Sequence, residues 1–172
     1  ALKLEEEMSA RADRFRFMRH AVVIERGLNY SNAFEWALKM METSYVIAER
    51  FSQADLLHGP IAMVEQGFPA FVLTPSGVTW PVMKEMLAKL DSLRAESLVL
   101  TDRSNREAPK SAVRIPAVLQ YRPKKGRAAL PQDLYTPIPY IIPAQMFAAA
   151  LAKVKGFDAD KPRGLSKVTL TL

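Results

Sequence analysis

Cysteine is absent from the chain, which excludes disulfides and thiolate-held metal sites. Histidine is almost absent: His20 and His58 are the only two, and their separation has no ligand-like spacing. No apolar run approaches the roughly 18 residues that a bilayer span requires, and the first twenty residues are charged throughout. A soluble protein without a membrane partner is therefore expected, and the lack of cysteine fits a reducing cytoplasm. Repeats and low-complexity tracts are missing as well. The 12 prolines and 7 glycines fall between periodic segments, unlike those of a disordered or fibrous chain.

What remains is a chain of 172 residues that is 49% hydrophobic, the size of one domain with a sizeable core. A formal charge of +6 raises the possibility of a nucleic-acid partner. Its distribution argues otherwise, because Lys and Arg alternate with Glu along the helical segments. The one dense basic run, Arg122 to Arg127, carries Pro and Gly and reads as a solvated surface loop.

Residues 3 to 19 have the spacing of an amphipathic helix, with a stripe of Leu4, Met8, Phe15 and Met18. Ala21 to Ile24 then reads as a buried parallel strand. Asn32 and Glu35 have the spacing of a capping box, opening a helix of about five turns to Phe51. On that helix Ala37, Met41, Tyr45, Ala48 and Phe51 form the expected core face. Phe68–Thr74 and Ser97–Asp102 read as further strands, separated by a helix from Thr79 to Leu93. Val113–Ile115 is a short fourth strand, and Pro143 is expected to open a helix from Ala144 to Val154. Lys167 to Leu172 alternates as a strand or an ordered extended tail does. Strands alternating with helices predict an α/β fold: a three-layer α/β/α sandwich around a mostly parallel, flavodoxin-like sheet.

Glu35, Lys39, Glu42 and Glu49 fall on one stripe of the long helix, roughly 80° wide. Such a stripe is a solvated ion-pair face on spacing alone. It gains chemical interest because it leads to the loop Leu57-His-Gly-Pro60, where an imidazole follows a carboxylate and an ammonium.

Four blocks in order then carry a resemblance: Glu35-Trp-Ala-Leu-Lys-Met-Met-Glu-Thr-Ser-Tyr45, Ala48-Glu49, Leu57-His-Gly-Pro60, and Asp158 to Lys167. Together they resemble the second sugar-isomerase (SIS) domain of the glucosamine-6-phosphate synthase family, from Val22 to the C-terminus. The resemblance implies an aldose/ketose isomerase or a deaminase acting on hexosamine phosphates such as fructose-6-phosphate or glucosamine-6-phosphate. In that family the position of Glu42 is the base that moves a proton between C1 and C2. The position of Lys39 assists it, that of His58 opens the sugar ring, and that of Lys167 forms an imine with the ketose carbonyl. A phosphorylated sugar is the implied ligand and a homodimer the implied assembly; no metal or organic cofactor is implied. Residues 1–19 become a connector helix and 20–172 a single SIS domain with a C-terminal tail.

Departures from the family pattern qualify this. Lys39-Met-Met-Glu42 stands where the synthases read KLKE, and Leu57 stands where they place Lys before the histidine. The Pro162-Arg-Gly-Leu-Ser-Lys167 ending is closer to SIS proteins without a glutaminase domain. Neither that domain nor a first SIS domain is present in the sequence; the family's pairing of subunits implies that Glu42 and His58 of one chain are too far apart to share a substrate unless a second chain is present. The alternative is a sugar-phosphate-binding or regulatory SIS module without catalysis. Thr74-Pro-Ser-Gly-Val-Thr79 echoes the family's phosphate loop through Ser76 and Thr79; the other reading is a plain turn with Thr79 as a helix cap.

Overall fold

The computed structural model describes residues 2–116 and 130–164. Among these residues five parallel strands, β1 (His20–Glu25), β2 (Ile47–Ser52), β3 (Pro69–Leu73), β4 (Glu96–Asp102) and β5 (Val113–Ile115), form one sheet. Their order is β2-β1-β3-β4-β5, so the chain reverses direction across the sheet between β1 and β3. That pair is where ligands collect in open α/β sheets. Among the described residues five α-helices accompany the strands: α1 (Glu5–Arg14), α2 (Tyr30–Ser44), α3 (Gln53–Leu57), α4 (Trp80–Ser92) and α5 (Pro137–Val154).

The central strands are buried on both faces, which is why they read as continuous apolar runs. Val23, Phe71 and Leu73 turn to the face covered by α1, α2 and α5. There Phe71 lies 5.0 Å from both Trp36 and Phe147 and 5.1 Å from Phe15, ring centre to ring centre. Val22, Ile24, Val72 and Val99 turn to the opposite face, where Leu56, Met83, Met86 and Leu90 cover them. The three-layer α/β/α sandwich and the flavodoxin-like strand order are both present. The stripe of Leu4, Met8, Phe15 and Met18 is buried in the first of these cores, so α1 is packed into the domain.

Three sequence expectations fail. The long helix stops at Ser44 rather than Phe51, because Tyr45 takes the left-handed conformation (φ 55°) and its N–H closes on the Met40 carbonyl. After Val46 come the six residues of β2, an edge strand whose Glu49 and Arg50 mimic the polar face of a helix; Ile47 pairs with His20 and Ser52 with Glu25. Met41 is consequently exposed, and the buried face of α2 is Ala33, Trp36, Ala37, Met40 and Ser44.

The capping box also does not form. The α2 N-terminus is secured instead from α5, with Asn32 Nδ2 donating to the Pro137 carbonyl at 2.8 Å and to Asn29 Oδ1 at 3.0 Å. Finally, α5 starts at Pro137 and carries Pro143 inside, where the ring leaves one backbone carbonyl without its usual donor. At 18 residues α5 is long and apolar enough to cross a bilayer by length and composition. Here Tyr140, Ala144, Phe147, Ala148 and Leu151 bury its inner face against α1 and α2. The basic run at 122–127 and the segment 167–172 lie outside the described residues.

Candidate active site

The polar stripe of α2 survives in part. Lys39 Nζ donates to Glu42 Oε2 at 2.8 Å and lies 3.9 Å from Glu35 Oε1. Gln145 of α5 donates to Glu35 at 2.9 Å, which ties the stripe to the neighbouring helix. The Glu42 hydrogen bond, reinforced by the charge of both carboxylates, pushes the Lys39 ammonium up from its ordinary value. Lys39 is therefore a fixed cation, suited to steady negative charge beside Glu42. Glu49 does not join them; it is exposed on β2 beside Arg50, 3.6 Å away.

His58 is elsewhere. It follows α3, which starts directly after Ser52 at the carboxyl end of β2, and its side chain is exposed. Glu42 sits near the far end of α2, close to where β2 begins, about 18 Å of helical rise from Tyr30. One chain thus brings Lys39 and Glu42 together and leaves His58 at the opposite edge of the sheet.

Lys167 lies outside the described residues, but the chain leading to it is anchored near Glu42. Arg163 stacks its guanidinium 3.8 Å over the Tyr45 ring, and its backbone N–H donates to the Tyr45 hydroxyl at 2.9 Å. Phe157 packs edge-on against Tyr45, 4.7 Å between ring centres, and the Arg163 guanidinium lies 5.9 Å from its ring centre as well. The left-handed Tyr45 that ends α2 therefore also fastens the C-terminal segment to the Glu42 end of the helix.

A second constellation lies at the carboxyl ends of β1, β3 and β4. Asp102, the last residue of β4, is 2% exposed. Its Oδ2 accepts from the Ser76 N–H at 2.7 Å and the Tyr140 hydroxyl at 2.9 Å. Oδ1 accepts from the Ser76 hydroxyl at 2.9 Å, the Ser104 N–H at 3.0 Å and the Ser104 hydroxyl. Burial pushes the carboxyl up, but the bonds from Ser104, Ser76 and Tyr140 outweigh it and hold Asp102 below the usual range.

Glu25, at the end of β1, behaves oppositely. It is fully buried, neither oxygen has a hydrogen-bond partner among the described residues, and burial drives its carboxyl well up. Asp133 is nearby and is likewise raised by burial, with the charge of Asp102 adding to the effect. Among the described residues no group of three His, Asp or Glu side chains is arranged to hold a metal ion.

The Thr74–Thr79 loop lies over these carboxylates. Thr79 stands before α4 without a side-chain capping bond, and its hydroxyl is buried without a partner among the described residues. Sequence reasoning noticed this loop and missed the acids beneath it. The available signal was an acidic residue closing each buried strand run, in AVVIE and in LVLTD.

The SIS domain model matches residues 15–152. The chain belongs to the SIS domain family. This SIS domain is 35% identical over 167 residues to the glutamine–fructose-6-phosphate aminotransferase [isomerizing] of Thermococcus kodakarensis, covering 97% of this chain and 26% of that protein. Against the Tropheryma whipplei protein of the same name it is 38% identical over 149 residues, covering 87% of this chain and 23% of that one. The chain thus spans about a quarter of the length of these relatives. Among solved structures, the C-terminal domain of glucosamine-fructose-6-phosphate aminotransferase from Francisella tularensis matches with a TM-score of 0.78 at 25% identity, over 93% of this chain and 42% of that one. A glucosamine-6-phosphate deaminase from Thermotoga maritima shares the fold, with a TM-score of 0.64 at 22% identity over 96% and 46%.

Proposed function

We propose that this SIS domain serves as the second of two in a hexosamine-phosphate aldose/ketose isomerase or deaminase, acting on substrates of the fructose-6-phosphate or glucosamine-6-phosphate type. The observation that carries the reading is the Lys39–Glu42 pair at 2.8 Å, beside a C-terminal segment anchored on Tyr45. Glu42 takes the proton at the carbon next to the carbonyl and returns it to the neighbouring carbon. Lys39, held cationic, stabilises the enediolate-like charge that forms between those two steps. Lys167 closes on the substrate carbonyl as an imine-forming amine, for which it must first lose its proton.

His58 opens the sugar ring, and in this reading it acts in the site of a partner chain, a reading supported by its place beyond the carboxyl end of β2 while Glu42 lies near the start of that strand. A homodimer in the cytoplasm follows as the working form, with the sugar phosphate gripped chiefly by another SIS domain.

The test is deuterium exchange at C2 of fructose-6-phosphate or glucosamine-6-phosphate in heavy water, with the chain in its full-length natural context. Exchange is expected, and Glu42→Gln should reduce it by about 10²–10⁴-fold. Absence of exchange on every hexose phosphate rules out the isomerase reading and favours a sugar-phosphate-binding module. Normal exchange in Glu42→Gln removes Glu42 from the role of base.

A further inference from the structure

Loops that connect a strand to a helix at the carboxyl edge of a parallel sheet gather backbone N–H groups and hydroxyls that suit an anion. The 74–79 loop has this form, followed by the 13-residue helix α4. In this chain its donors already have an anion. Ser76 N–H and Ser76 Oγ both donate to Asp102, and Ser104 adds its own N–H and hydroxyl from the far side. Tyr140 closes the set from α5. Asp133 lies against Gly77, whose missing side chain makes the room, and the Val78 N–H faces that second carboxylate.

We propose that Asp102 is a resident anion: a carboxylate of the chain itself fills the anion cradle of the 74–79 loop and thereby denies it to phosphate. The inference goes beyond the isomerase reading and needs no sugar for its test. Its chemistry is that of a buried ion held by neutral donors. No cation pairs with Asp102 among the described residues, so the hydrogen bonds alone replace its hydration. Five donors from three separate segments converge on two oxygens, which is the donor density of an oxyanion receptor rather than of an ordinary turn. Thr74 Oγ1, fully buried at the start of the same loop, has no hydrogen-bond partner among the described residues. A ligand phosphate entering here would have to displace Asp102 from all of these donors or meet its charge directly, and either event opposes binding.

The experiment follows the backbone amides of Ser76, Gly77 and Ser104 by NMR while inorganic phosphate or formate is added, with chloride at matched ionic strength as control. The wild-type chain should show no saturable shift with either anion. Asp102→Gly, which removes the carboxylate and keeps the donors, should melt at lower temperature. Formate or phosphate, but not chloride, should restore its melting point and shift those three amides saturably. Should Asp102→Gly be unfolded without added anion, its refolding on addition of formate is the same result. Asp102→Asn, the same shape without the charge, should melt about 5–10 °C below wild type.

Saturable phosphate shifts at these amides in the wild type would overturn the proposal. So would an Asp102→Gly chain, folded or not, that responds to neither anion, or an Asp102→Asn chain as stable as wild type. None of these results bears on Glu42 or on C2 exchange, so the two readings fail separately.

Discussion

Two carboxylates at the carboxyl edge of the sheet are pushed in opposite directions by their surroundings. Converging donors hold Asp102 below the usual carboxylate range, whereas burial drives Glu25 well above it. The sign of each effect on stability follows. The stabilisation from Asp102 is present above its unfolded pKa, about 3.9, and is lost as pH falls through its depressed folded value. The contribution of Glu25 is complete below its unfolded pKa and is lost as pH rises through its elevated folded value. Glu25→Gln should therefore gain melting temperature relative to wild type as pH is raised from 5 to 9, and calorimetry across that range would show it; a difference independent of pH would contradict the assignment. Tyr140→Phe removes one donor from a charged acceptor and should cost about 1.5–3 kcal/mol, measured by urea unfolding. The Lys39–Glu42 pair was legible in the sequence because it depends only on helical spacing. The Asp102 cluster was not, since it depends on which strands are neighbours and on a tyrosine 38 positions away.

At the scale of elements, the strands β1, β3 and β4 were readable because burial on both faces leaves an unbroken apolar run. β2 was not, because an edge strand with one wet face can be mistaken for the polar side of a helix when its residues are Ala, Glu and Arg. The decisive event is the left-handed Tyr45, which no propensity favours and which tertiary contacts with Phe157 and Arg163 support. Arg94 shows the contrasting case. It takes the same backbone conformation (φ 56°) at the end of α4, it is exposed, and its side chain makes no hydrogen bond or ion pair among the described residues. Arg94→Gly should stabilise the fold by about 1 kcal/mol, read as a higher denaturation midpoint with an unchanged slope. The corresponding Tyr45→Gly should destabilise, because there the side chain holds the C-terminal segment.

For the molecule as a whole, the two ends of α2 define two different surfaces, and the proposed chemistry requires both. Glu42 belongs to the edge where strands begin and His58 to the edge where they end. If His58 of the partner subunit completes the site, chains carrying Glu42→Gln and chains carrying His58→Ala should complement each other. Mixed in equal amounts and allowed to exchange subunits, the two inactive variants should recover roughly a quarter of the wild-type rate, since half of the dimers are mixed and each contains one intact site. A mixture as inactive as its components would assign each His58 to its own chain.

The packing of α1 on α5 governs the order in which the protein can be made. Arg16 and Val154, 138 positions apart, are joined by a hydrogen bond, and the stripe of Leu4, Met8, Ala12 and Phe15 is sealed from that distant side. Within this domain α1 leaves the ribosome before α5, so its apolar stripe stays uncovered until α5 has been made. Throughout synthesis that stripe is available to chaperones, and a nascent chain arrested ahead of Pro137 should be held by them or aggregate instead of folding to a stable intermediate.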